Sequence, residues 1–227
     1  MRATSFLALV LPALLALGLP AAAHHPGDRL DEVMTGKEEY FQTIDRRAPG
    51  FELVDADGKP VALSEFADRI VVMHFINAGC PDVCPLHADR IAEIQGMINQ
   101  TPMKDRVQFI SITTDPANDT PAVLKDYGPV HGLDPANWVF LTTGPGQGED
   151  ATRRLVEAFG HKFMQTKDGL QVHGVVTHVI DRDGRWAANF HGLKFDPLNL
   201  VLYVNGLTNN PQKAAEPTFW EKVRSWF

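Results

Sequence analysis

Two stretches of the chain, "IVVMHFI" at 70–76 and "VQFISIT" at 107–113, are almost continuously apolar, with no alternation between faces. Runs of this kind predict central strands buried on both sides. Ahead of them, 51–63 ("FELVDADGKPVAL") reads as a hairpin turning at Asp57-Gly58. After the first run, Ile91, Ile94 and Ile98 recur at helical spacing and predict a helix over about 86–99. Asp119-Thr120-Pro121 places a capping residue before a proline and predicts the start of a second helix. A strand at 138–142, a Gly-rich loop at 144–148 and an amphipathic helix at 149–159 follow. Strands at 175–180 and 186–190 flank the turn Asp183-Gly184, and a last helix is expected at about 196–204.

A hairpin, then alternating strands and helices, then a closing hairpin and helix describe an α/β sandwich. The order is that of a thioredoxin-like fold, with a central mixed sheet flanked by helices and an N-terminal hairpin addition. Residues 24–47 are polar and charged without clear periodicity and read as a leader to a domain at 48–206, with a tail at 207–227.

The first residues read as an export signal. Met1-Arg2 is a short positive region, 6–19 is apolar, and Ala21-Ala22-Ala23 is a small-residue cleavage site. The apolar run falls short of the roughly 20 residues of a membrane-spanning helix, and Pro12 and Pro20 interrupt or end it. The alternative is an uncleaved N-terminal anchor. No cysteine follows the run, which excludes lipoprotein processing. The expected compartment is a periplasm or another exported, oxidising space. A formal net charge of -7 excludes nucleic-acid binding, which needs a basic footprint.

The 2 cysteines both lie in "NAGCPDVCPLH" at 77–87, just after the first buried strand, where sites gather in such sheets. A disulfide closing so short a loop constrains the unfolded chain little, and a 44% hydrophobic chain has core enough without it. The pair is therefore chemical rather than structural. Cysteines four apart bring their sulfurs within reach of each other or of one metal ion. Pro85 suits a first helical turn, which puts Cys84 at a helix start, where amides favour a thiolate. Two such sulfurs suit Cu(I) or zinc, and Cu(II) needs a harder third ligand such as imidazole.

Among the 9 histidines, two compete for that role. His87 shares a helical face with Cys80 and Cys84 if the helix runs through, but Pro85 argues against this and favours a first-turn surface position. His173 precedes an apolar strand that enters from a neighbouring segment, and on the residues alone it ranks only slightly above His87. His178, five residues on, faces the other way and reads as a packing residue. His74 reads as a satisfied core residue, His131, His161 and His191 as solvated loop positions, and His24-His25 as part of a flexible tail with loose affinity for copper.

The sequence resembles the Sco/SenC family, thioredoxin-fold copper chaperones of cytochrome c oxidase assembly. Cys80-Pro-Asp-Val-Cys84-Pro85 matches that family's signature, and Asp115-Pro116-Ala-Asn-Asp119-Thr120-Pro121 matches its D-P-x-x-D-T-P segment. Counting back from Asp183-Gly184 at the family's spacing lands on His173. The resemblance spans about 47–200 and implies a Cys80–Cys84–His173 site for Cu(I) and Cu(II). It further implies an acceptor in the binuclear copper centre of the oxidase or in another cuproprotein, and an upstream copper donor. Asp115 and Asp119 read as caps and loop braces. Two features depart from the family: Ala78-Gly79 replace a Thr and often a His before the first cysteine, and Val172 replaces an acidic residue before the histidine. In the tail, Phe219-Trp220 and Trp226-Phe227 suit contact with a membrane or partner, or packing onto the domain. The rival reading is an enzyme, a periplasmic thiol–disulfide oxidoreductase cycling Cys80 and Cys84 as a redox pair.

Overall fold

The computed structural model describes residues 29–209 apart from 149, 163, 166–170 and 173. Its elements in chain order are α1 (Leu30–Lys37), β1 (Phe41–Arg47), β2 (Glu52–Asp55), β3 (Pro60–Ala62), β4 (Ile70–Ile76), α2 (Val83–Asn99), β5 (Val107–Thr113) and α3 (Pro121–Val130). Then come β6 (Trp138–Thr142), α4 (Asp150–Ala158), β7 (Met164–Gln165), β8 (Gln171–Val172), β9 (Val176–Ile180), β10 (Arg185–His191) and α5 (Pro197–Asn209). Among the described residues the strands form a mixed sheet in the order β1-β10-β9-β4-β5-β6-β2-β3, with β7 and β8 paired separately. Strand β4 runs parallel to β5 and antiparallel to β9.

The continuous apolar runs have a simple cause. Every residue of β4 and β5 is buried. Ile70 and Val72 enter one core with Ile91, Ile94 and Ile98 of α2 and with Leu200 and Val204 of α5. Val71, Met73 and Phe75 enter a second core with Leu155 and Val156 of α4. A third, smaller cluster gathers Ile76, Cys84, Ala88, Leu124, Tyr127 and Phe140 at the carboxyl end of β4. The hairpin of β2 and β3 turns as expected, with Gly58 at φ 78 where a residue with a side chain would be strained.

The leader reading is corrected for residues 30–47. They form α1 and the edge strand β1, which pairs with β10. The segment looks aperiodic because β1 has one neighbour only: Phe41 is buried, Ile44 half-buried, and the other residues of the strand are exposed. A register break between Thr43 and Arg46, with Asp45 at φ 50, removes what alternation remained. Helix α1 packs on α5, where Gly206 leaves room for Leu30, and buried Glu38 accepts hydrogen bonds from Asp196 N–H and the Asn199 amide at the start of α5. The expected cap of α3 also differs: Thr120 occupies the capping position without a side-chain hydrogen bond, and Asp119 turns inward instead.

No helix of the described residues is long and apolar enough to cross a membrane. The expected signal at 1–23, the residues 24–28 and the tail from 210 onward lie outside the described residues, as does His173.

Candidate functional site

The two cysteines sit where β4 gives way to α2. Between them the chain makes a tight loop: Gly79 N–H donates to Asn77 Oδ1 at 2.8 Å and Cys80 N–H donates to the Asn77 carbonyl at 3.1 Å. Helix α2 then begins at Val83 with no side-chain cap from Asp82. Its free first-turn amides serve Cys80 instead. Burial acts to raise the Cys80 pKa, but the amides of Asp82, Cys84 and Val83, with the Cys84 thiol, outweigh it and bring it below the ordinary thiol value. A helix N-terminus is suited to hold a negative sulfur in this way. Cys84 behaves oppositely. Burial pushes its thiol up to about 12, and negative Cys80 and Asp119 nearby add to the rise despite a hydrogen bond with the Asn77 backbone. One cysteine is half-exposed and gives up its proton the more easily of the two, while the other is buried and keeps its proton.

Beneath them lies a layer of buried histidines, two of which, His87 and His161, sequence reasoning had placed at the surface. His87 is not a surface residue. It is 2% exposed, its Nε2 lies 2.9 Å from Thr177 Oγ1 of β9, and its ring lies 4.7 Å from that of His74. Its signal was present, since 84, 87, 88, 91, 94 and 98 trace one buried helical face. His74, expected in the core, is fully buried and pairs with Ser111, which also accepts from Trp138 Nε1–H at 3.0 Å. His161 is likewise buried, directly after Gly160, whose φ of 82 ends α4.

On the other face of β9 the hydrogen-bond directions follow from one residue. Trp186 Nε1–H can only donate, so its partner Asn189 Oδ1 is an acceptor and His178 Nδ1–H must donate to that oxygen too. Burial, followed by the neighbouring His161, drives the His178 pKa well below its ordinary value, so the ring is neutral and its Nε2 accepts from His161 Nε2–H at 2.9 Å. A Cβ added at Gly174 would lie 3.8 Å from His161 Nδ1, which places the His161 ring beside the approach to β9. Strand β9 is thus gripped on both faces, by His87 at Thr177 and by His161 at His178.

The neutral state of His178 predicts an acid limit. The unfolded chain takes up a proton at this ring near pH 6.5, whereas the folded chain resists it to lower pH. Stability is therefore full above pH 6.5 and falls as the pH drops below it, by up to about 1.4 kcal/mol per pH unit for one such group. Denaturant midpoints at pH 7 and pH 5 check this, and His178→Gln should flatten the slope.

The remaining described histidines are half-buried and bonded rather than the solvated loop positions expected, and His191 is the last residue of β10. His131 lies 2.7 Å from Asp89, tying the end of α3 to α2, and His191 lies 2.9 Å from Gln42. Among the described residues no group of three His, Cys, Asp or Glu side chains is placed to hold a metal ion.

The family model SCO1/SenC matches residues 42–204. The chain belongs to the SCO1/SenC family. Protein sco1 of Schizosaccharomyces pombe is 32% identical over 191 residues, covering 82% of this chain and 70% of that protein. The structure of Bradyrhizobium japonicum ScoI with copper bound is 27% identical at a TM-score of 0.58, covering 71% of this chain and 99% of that one. A SCO1/SenC family lipoprotein from Bacillus anthracis superposes at a TM-score of 0.67 and 23% identity, over 74% of this chain and 98% of that one. The α/β, thioredoxin-like fold expected from the element order is that of these SCO1/SenC structures.

Proposed function

We propose that this protein is a copper-binding metallochaperone of the Sco type. It holds Cu(I) between Cys80 and Cys84 and Cu(II) with His173 added, for assembly of the binuclear copper centre of cytochrome c oxidase. The observation that carries the reading is the uncapped start of α2, whose amides serve Cys80 while Cys84 waits protonated behind it. Soft sulfurs in a pair select Cu(I), and a bound cation displaces the proton from a coordinating thiol. Loading therefore releases a proton, chiefly from Cys84. Membership of a family whose B. japonicum member has been solved with copper bound supports copper as the metal.

The asymmetric pair also favours a second reading, thiol–disulfide exchange, in which Cys80 attacks and Cys84 resolves. The two are separated by titrating the reduced protein with Cu(I) beside an insulin-reduction assay. One tightly bound Cu(I) per chain, lost in Cys80→Ser and in Cys84→Ser, is expected; weak copper binding with rapid insulin reduction would sink the chaperone assignment. The working place is an exported compartment such as a periplasm, reached by the N-terminal signal. The acceptor is the copper-bearing subunit of the oxidase or another cuproprotein, and an upstream donor supplies the metal.

A further inference from the structure

We propose that Asp119 is a positioning residue for copper, holding the lead-in to Cys80 in place through a backbone amide. The inference rests on the copper reading of Cys80 and Cys84.

The lead-in, Asn77-Ala78-Gly79, has little with which to fix itself. Ala78 has only a methyl group and Gly79 has no side chain, so the loop is held by its amides. Gly79 and Cys80 donate within the loop to Asn77. Ala78 alone of the three donates outside it, to Asp119 Oδ2 at 3.2 Å, 41 residues away. That carboxylate is 2% exposed and is itself anchored: the Thr113 hydroxyl donates to the same oxygen. Thr113 Oγ1 in turn accepts Asp115 N–H at 2.9 Å, and Asp119 N–H donates to the Asp115 carbonyl at 2.9 Å. Thr114 N–H donates to the Ile76 carbonyl at 2.7 Å. One buried carboxylate thus joins the end of β5, the turn before α3 and the loop that carries the exposed thiol.

The consequence is geometric. Cys84 is fixed by α2 and its apolar neighbours, but Cys80 lies in a loop outside the helix. Two sulfurs hold Cu(I) well only at the separation and angle the metal prefers, so the less constrained sulfur sets the affinity. Outer partners that orient a ligand typically change metal affinity by about 10–100-fold when removed. Asp119 reaches its ligand through a peptide amide rather than a side chain, which suits a lead-in with no side chain to reach back.

The test uses the reduced full chain, with Cu(I) affinity measured by competition against a chromophoric chelator and the Cu(II) form followed by its sulfur-to-copper absorption. Asp119→Ala is expected to lower Cu(I) affinity by about tenfold or more and to shift the Cu(II) band. Asp119→Asn, which keeps an oxygen for Ala78 N–H, should recover most of the affinity. Ile94→Val, a core change in α2 that lowers the melting temperature, should leave affinity and band alone. Wild-type affinity and band in Asp119→Ala, or an equal loss in Ile94→Val, overturns the proposal. If Asp119→Ala does not fold, Thr113→Val removes the hydroxyl that anchors the carboxylate; reduced Cu(I) affinity is then expected, and wild-type affinity overturns the proposal. Cu(I) binding that survives Cys80→Ser and Cys84→Ser would instead bring down the copper reading, and the role of Asp119 with it.

Discussion

Replacing His173 with alanine is expected to abolish the sulfur-to-copper absorption of the Cu(II) form while leaving most Cu(I) binding in place. The separation follows from ligand preference. Cu(I) is satisfied by two thiolates, whereas Cu(II) is harder and calls for an imidazole beside them. Loss of a direct ligand should exceed the roughly 10–100-fold loss typical of an outer partner. His87→Ala is the control that gives the comparison its force. Its ring is bonded to Thr177 and packed on His74, so removing it should cost stability, about 1–3 kcal/mol from the stranded hydroxyl alone, and leave the Cu(II) band present. An unchanged spectrum in His173→Ala, or a vanished one in His87→Ala with the fold intact, would make the local Cys-Cys-His cluster the site.

A large effect on stability is also expected at Gly128→Ala. In an exposed helix this change stabilises by up to about 1 kcal/mol, because alanine is the better helix former. Gly128 is buried against Trp138, and a Cβ there would come 2.2 Å from Trp138 Cζ3. The indole cannot retreat cheaply, since its N–H is bonded to Ser111 and through Ser111 to His74. Overpacking of this kind costs about 1–3 kcal/mol or more. At about 2–4 °C per kcal/mol for a chain of this size, the melting temperature should fall by several degrees. Gly96→Ala in α2 meets no atom within 4 Å and should move it slightly upward. Two Gly→Ala changes of the same sign would refute the argument.

What was legible in the sequence depended on how many sides of an element are covered. Strands β4 and β5 lie between two cores, so each residue carries the signal, and their limits were readable to the residue. Strand β1 is covered on little more than Phe41 and Ile44, and it passed for a leader. Helix α5 runs past the expected 204 to Asn209 because Leu207 and Thr208 still face inward, and Gly206 makes room for Leu30 instead of ending the helix. The pair Cys80 and Cys84 was evident from spacing. The opposite shifts of the two thiols were not, because they arise from the missing cap at Asp82 and the burial behind Cys84. His87 was misjudged by giving weight to Pro85 and too little to the apolar face on which it falls. The tie from Asp119 to Ala78 crosses 41 residues, and no local pattern encodes it.

The broken register of β1 and the three-residue β3 beginning at Pro60 lie at opposite margins of the sheet. Neither offers another chain an unbroken ladder of free amides and carbonyls, so association by strand addition is closed off on both sides. At these two margins a partner meets loops and side chains rather than a free strand edge.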